Sequence, residues 1–191
     1  PIMAAGGAVV HAGSTMAGLA ATAVGDSYRQ PLVVLAGDST IAGGAIMPWD
    51  RLDVRLGYRL CGATFVNRGI GGQALLRGAS VPNLASTWTS IIHAVPRPDV
   101  IVIGIGLNDL FDYASDTAWT EAYVSLVTQA QGLGIHVLIG EITPMGAAHA
   151  AQEPLRIYLN EWLHAYFGSS VVVPYQQLIG LPSGRIDPAY V

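Results

Sequence analysis

The sequence predicts a single α/β domain built on a parallel sheet covered by helices. Three observations carry that prediction. From residue 31 onward, short apolar runs rich in β-branched residues alternate with helical stretches, the order expected of successive strand and crossover units. Hydrophobic residues make up 51% of the chain and charged residues 12%, which supplies a core and excludes a disordered chain. A length of 191 residues supports one such core and is too short for two comfortable ones.

Taken in order, Pro31 to Ala36 (PLVVLA) reads as the first strand, ending in the tight Gly37-Asp38-Ser39. A helical segment follows near Trp49 to Cys61, with Leu52, Leu56 and Leu60 four apart on one face. Ala63 to Asn67 is the second strand and runs into a glycine-rich loop, Gly69 to Gly72. Asn83 to Ala94 reads as a helix that stops before Pro96 and Pro98. Asp99 to Gly104 (DVIVIG) is the strongest buried-strand signal. The next helix places Trp119, Tyr123, Leu126, Val127 and Ala130 on one face. Ile135 to Gly140 is a fourth strand, Leu155, Leu159, Trp162, Leu163 and Tyr166 form a further helical stripe, and Val171 to Val173 is a fifth strand. No internal repeat or interdomain linker interrupts the pattern.

Charge narrows the function classes. Nine arginines face thirteen acids, with no lysine, for a net charge of −4. Such a chain has no broad cationic face for phosphate backbones, so no nucleic acid partner is expected. Without lysine there is neither Schiff-base chemistry nor a P-loop. One cysteine, Cys61, makes no internal disulfide and no thiolate cluster. No His/Asp/Glu set has metal-ligand spacing, and neither metal nor other cofactor is expected.

Residues 1–30 form an apolar, Ala/Gly-rich N-terminal extension, uncharged from Pro1 to Gly25. Read as a signal peptide it offers a small-residue site at Ala21-Thr22-Ala23 but lacks a basic start. We expect an ordered segment packed on the domain. No window is long and apolar enough to span a bilayer. Location stays open, secretion being favoured over the cytoplasm.

Ligands in parallel sheets gather at the carboxyl ends of the strands, and three of those loops are chemically unusual. Gly37-Asp38-Ser39-Thr40 puts a hydroxyl on a sharp strand-to-helix turn, either a reactive group or ordinary turn punctuation. A second copy, Gly25-Asp26-Ser27-Tyr28, reads as a turn. In Asn67 to Gln73 a glycine amide at Gly72 is free to approach a substrate oxyanion; the bland reading is a flexible connection. Gly69, Gly71 and Ala74 also match the GxGxxA dinucleotide fingerprint, but the acidic residue required about twenty positions on is missing from Thr89 to His93. In Gly104 to Asp109, Asn108 is either a turn former or an amide donor aimed into a site.

Together these loops resemble the blocks of the SGNH hydrolases, or GDSL esterases: Gly37-Asp38-Ser39 with Gly43 behind it, Asn67 to Gly72, and Gly106-Leu107-Asn108-Asp109. The resemblance covers roughly residues 31 to 187. It implies a three-layer α/β/α sandwich with a five-stranded parallel sheet, flavodoxin-like in kind, over 31–191. It also implies Ser39 as nucleophile, with the Ser39 and Gly72 backbone N–H groups and the Asn108 side chain as oxyanion hole. The expected activity is that of a serine esterase acting through an acyl-serine on short-chain carboxylic esters or O-acetyl groups, with a small-molecule or glycan ester as substrate.

The fourth block of the family, a DxxH that supplies the base and its orienting carboxylate, has no counterpart. Asp187 is followed three positions on by Tyr190, and the sequence ends at Val191. Gly184 to Tyr190 resembles the segment ahead of that block, so we expect the block to be truncated or to lie beyond the stated sequence. Of the five histidines, His93, His136 and His164 read as structural, and His149, in the loop after the fourth strand, is the candidate on the active-site side ahead of His11. Without a base, a serine hydroxyl is a poor nucleophile. The alternative reading is therefore a catalytically impaired or non-catalytic binding module of the same fold. Asp38 is expected as a helix-start residue and Asp109 as a loop cap; Ile41, Ile46, Met47, Trp49 and Leu110 are either pocket lining or ordinary packing. Arg68 and Arg77 are either contacts for a polar leaving group or solvated surface cations. Oligomeric state is not legible.

Overall fold

The structure, a computed structural model, describes residues 29–43, 48, 51–77, 81–113, 115–144 and 147–174. Residues 1–28 of the N-terminal extension, with His11 and the Gly25-Asp26-Ser27 turn, and Ile46, Met47, Trp49 and the Asp187 region lie outside the described residues.

Five strands, β1 Leu32–Gly37, β2 Thr64–Asn67, β3 Val100–Gly104, β4 His136–Gly140 and β5 Val172–Val173, form one all-parallel sheet in the order β2-β1-β3-β4-β5. That is the flavodoxin-like order, whose switch point lies between β1 and β3. Gly37 pairs with Gly104, so the chain leaves β1 and β3 side by side at the same level of the sheet. The helices are α1 Ser39–Ala42, α2 Leu52–Arg59, α3 Leu84–Ile92, α4 Asp116–Gly132 and α5 Glu153–Phe167. Two 3₁₀ turns, Asn108–Phe111 and Ala147–Gln152, occupy the loops after β3 and β4.

Alternation along the strands splits the core into two layers. Leu32, Val34 and Ala36 of β1 and Ile101 and Ile103 of β3 face α3, α4 and α5, packing with Leu84, Trp88, Trp119, Tyr123 and Leu163. Val33 and Leu35 of β1 and Val100 and Val102 of β3 face Ile41 of α1 and Leu52 and Leu56 of α2. The result is a three-layer sandwich. Side chains close the helix starts: Asn83 accepts from the Ser86 N–H at 2.8 Å ahead of α3, and Ser115 from the Ala118 N–H at 3.2 Å ahead of α4. The buried Trp88 indole donates to the Leu126 carbonyl at 3.0 Å, tying α3 to α4.

The α5 stripe differs from its sequence expectation. Leu159 and Leu163 are buried as expected, but Arg156 and Asn160 join them, while Tyr166 is 58% exposed. The polar pair is drawn inward by the backbone of Ile142 just past β4. Asn160 Oδ1 accepts from its N–H at 2.8 Å, and Asn160 Nδ2 and Arg156 Nη1 donate to its carbonyl at 3.0 and 3.2 Å. Burying that loop without such partners would cost about 1–3 kcal/mol per orphaned group. Among the described residues, no helix is long and apolar enough to cross a membrane.

Candidate functional site at the carboxyl edge of the sheet

The first loop is shaped by a close approach of backbones. A Cβ on Gly37 would lie 1.9 Å from the Gly104 carbonyl oxygen, and its φ of +156° disfavours any side chain. Only glycine lets β1 run this close to β3 before turning. Asp38 then caps α1, its Oδ1 accepting from the Thr40 N–H at 2.9 Å and the Thr40 hydroxyl at 2.8 Å, as its helix-start reading requires. This leaves Ser39 exposed as the first residue of α1, with buried Asp38 behind it.

Hydrogen bonds lace the three loops together. The Asp38 N–H donates to the Gly104 carbonyl at 3.1 Å and the Ile70 N–H to the Gly37 carbonyl at 2.8 Å. Asn67 at the end of β2 donates from Nδ2 to the Ile41 carbonyl at 2.7 Å and to Asp53 at 3.1 Å, and its Oδ1 accepts from the Gly69 N–H at 2.9 Å. Asn108 Nδ2 donates to the Gln73 carbonyl at 2.8 Å, next to Gly72. Asp109 accepts from the Leu75 N–H with both oxygens, at 3.1 and 2.9 Å, and Asp112 pairs with Arg77. Residues 73, 75 and 77 are thus fastened in turn to 108, 109 and 112.

The sequence-predicted residues Ser39, Gly72 and Asn108 therefore stand on three neighbouring loops at one edge, across the switch point. Among the described residues, the backbone N–H groups of Ser39 and Gly72 donate to no acceptor. Asn108 has a second amide hydrogen beyond the one given to Gln73. Gly72 has φ +77°, and a Cβ there would meet nothing nearer than a Val81 methyl at 3.9 Å. Its glycine answers backbone shape, and the space beside it is open.

Asp109 is the residue that sequence reasoning undervalued. It caps a loop, but one remote in sequence: buried at 4% exposure, it accepts from the Leu75 N–H just past Gly72, 34 residues away. Burial pushes its carboxyl up to about 6, opposed by backbone donors at Leu75 and Leu76 and reinforced by the charge of Asp38. Asp38 is raised too, again chiefly by burial, with hydrogen bonds from Thr40 and the Leu107 backbone opposing. Two buried carboxyls thus directly adjoin Ser39 and Asn108 in the chain.

The other candidates fall elsewhere. Ile41 and Leu110 are buried in the two core layers, at 2% and 6% exposure, so packing is their role. Arg68 is exposed, and Arg77 belongs to the loop ladder. His164 meets Glu141 at 2.7 Å, securing α5 to the end of β4, and His136 opens β4 exposed. His149 is exposed and packs edge-on against Phe111, ring centroids 5.2 Å apart. Among the described residues, no histidine hydrogen-bonds the Ser39 hydroxyl, and no group of three or more His, Cys, Asp or Glu is arranged to hold a metal.

The model of the GDSL-like Lipase/Acylhydrolase family matches residues 35–174, more than half of the chain. The chain belongs to this family. Solved structures agree on the fold of this GDSL-like protein. It is similar to a GDSL-like lipase from Bacteroides thetaiotaomicron, with 18% identity, TM-score 0.64, and coverage of 92% of this chain and 83% of that one. A member of the lipolytic G-D-S-L family from Veillonella parvula aligns at 19% identity and TM-score 0.60, covering 74% of each chain. The SGNH-hydrolase family esterase AlinE4 aligns at 15% identity and TM-score 0.57, covering 87% of this chain and 85% of that one. A comparison with curated proteins gives no match. Family membership supports esterase or lipase-type hydrolase activity in general.

Proposed function

We propose that the protein is a serine esterase that hydrolyses short-chain carboxylic esters or O-acetyl groups through an acyl-Ser39 intermediate. The observation that carries this reading is the joint placement of an exposed Ser39 hydroxyl, the Ser39 and Gly72 amides with no acceptor among the described residues, and the Asn108 carboxamide on interlaced loops. In the first step Ser39 Oγ adds to the ester carbonyl carbon. The negative charge developing on the carbonyl oxygen is received by the Ser39 N–H, the Gly72 N–H and Asn108 Nδ2. Collapse breaks the bond to the alcohol oxygen, which leaves with a proton, and water then cleaves acyl-Ser39 to the free acid.

Preorganisation is the contribution of the loop ladder. Because Asn108 and Gly72 are tied through Gln73, and Asp109 fixes the same loop, the donors need no rearrangement as charge develops. The proton from Ser39 requires an acceptor, and the C-terminal segment where the fourth family block would begin lies outside the described residues. Ser39→Ala in the full-length protein tests the reading. Hydrolysis of p-nitrophenyl acetate should drop to the background rate while Tm moves by no more than about 2 °C, as for an exposed position. Retention of most activity would remove Ser39 from the mechanism.

A further inference from the structure

We infer that Phe111 and His149 form an aromatic corner beside the oxyanion donors, and that it selects esters carrying a planar aromatic ring. The inference rests on the esterase reading above and adds a substrate class to the same site. Residues 108 to 111 form one 3₁₀ turn. In such a turn, positions three apart eclipse one another, about 6 Å apart along the axis. Phe111 therefore projects from the same side of the turn as Asn108, one turn further along.

The two residues between them behave differently. Asp109 and Leu110 turn inward, at 4% and 6% exposure, whereas Phe111 remains 52% exposed. Phe111 is not loose at the surface. His149, delivered by the loop after β4, stands against it with an interplanar angle of 83°. Two rings from two loops at a right angle make a corner, able to stack one face of a flat group and meet its edge with the other ring.

A carbonyl oxygen bound by Asn108 lies on the side of the turn that Phe111 also occupies, so a substituent of the ester extends toward the corner. A short alkyl group leaves the corner wet, while an aromatic ring fills it and covers the exposed face of Phe111. His149 then serves as a wall and not as the base, consistent with its lack of a hydrogen bond to Ser39.

The test compares kcat/KM for three esters: ethyl acetate, phenyl acetate with its ring on the alcohol side, and ethyl phenylacetate with its ring on the acyl side. Each is measured on the wild type, Phe111→Ala and Phe111→Leu. Taking the ratio of ring-bearing to ethyl acetate rates within each protein, and comparing proteins, cancels the intrinsic reactivity of the esters. We expect Phe111→Ala to lower one of the two ratios roughly tenfold, the upper scale of an aromatic contact beyond the area it buries, and the arm affected identifies the side. Phe111→Leu, which keeps apolar bulk without a ring face and guards against misfolding of the alanine variant, should show most of the same loss. Ratios unchanged in both variants, or fully preserved by leucine, would overturn the aromatic corner while leaving the Ser39 reading intact. Hydrolysis surviving Ser39→Ala would overturn both.

Discussion

Replacing Asp109 by asparagine should flatten the dependence of stability on pH in a defined window. In the folded protein the Asp109 carboxyl is raised from 3.8 to about 6, mainly by burial. Between those values the folded chain holds a proton that the unfolded chain has released, so stability falls as pH rises through the window. The cost is absent below about pH 4 and complete above about pH 6. At 1.36 kcal/mol per pH unit, the difference corresponds to about 3 kcal/mol. Asparagine cannot titrate, and its oxygen can still accept from the Leu75 N–H. Urea unfolding of both proteins at pH 4, 5, 6 and 7 measures the effect, with the m-value as a check on two-state behaviour. The wild type minus variant stability should decline by about 3 kcal/mol from pH 4 to pH 7. Parallel curves, with a constant difference, would refute the argument that burial of this carboxyl dominates its titration.

Other perturbations separate packing from chemistry. Asn108→Ala should lower kcat by about 10²–10³, the usual loss for one oxyanion donor, and an unchanged steady-state rate would exclude Asn108 from charge stabilisation. Gly37→Ala should prevent folding or destabilise by more than about 3 kcal/mol, because its methyl would meet the Gly104 carbonyl oxygen at 1.9 Å; a native Tm in thermal melts would contradict that packing. Gly72→Ala meets open space, so we expect about 1–2 kcal/mol from its left-handed backbone, with a fall in kcat/KM several times larger than any change in KM. A variant with unchanged Tm and full activity would show that the left-handed backbone at Gly72 does not need glycine.

Much of the fold was legible because the central strands β1 and β3 are buried on both faces and therefore read as unbroken apolar runs. β3 lies within the run expected at 99–104 and is buried at every position. The helix at 116–132 buries all five residues its periodicity marks. Periodicity failed on α5, where the backbone of Ile142 drew Arg156 and Asn160 inward. A pattern of apolar spacing contains no information on which loop needs polar partners. Likewise Ser39, Gly72 and Asn108 were legible as motifs in their order after consecutive strands. The role of Asp109 was not, since its partner Leu75 lies 34 residues away and only the folded sheet brings the two loops together. Nor was the Phe111–His149 contact, which joins loops after different strands.

The central claim is that one serine hydroxyl is the reacting group, and covalent trapping tests it most directly. The full-length protein, treated with an alkyl fluorophosphonate and digested with trypsin, should carry a single phosphonyl adduct on the peptide spanning residues 30–51, whose one serine is Ser39. Denatured protein should take up none. An adduct on another peptide, or an unmodified 30–51 peptide under conditions that abolish ester hydrolysis, would contradict the account.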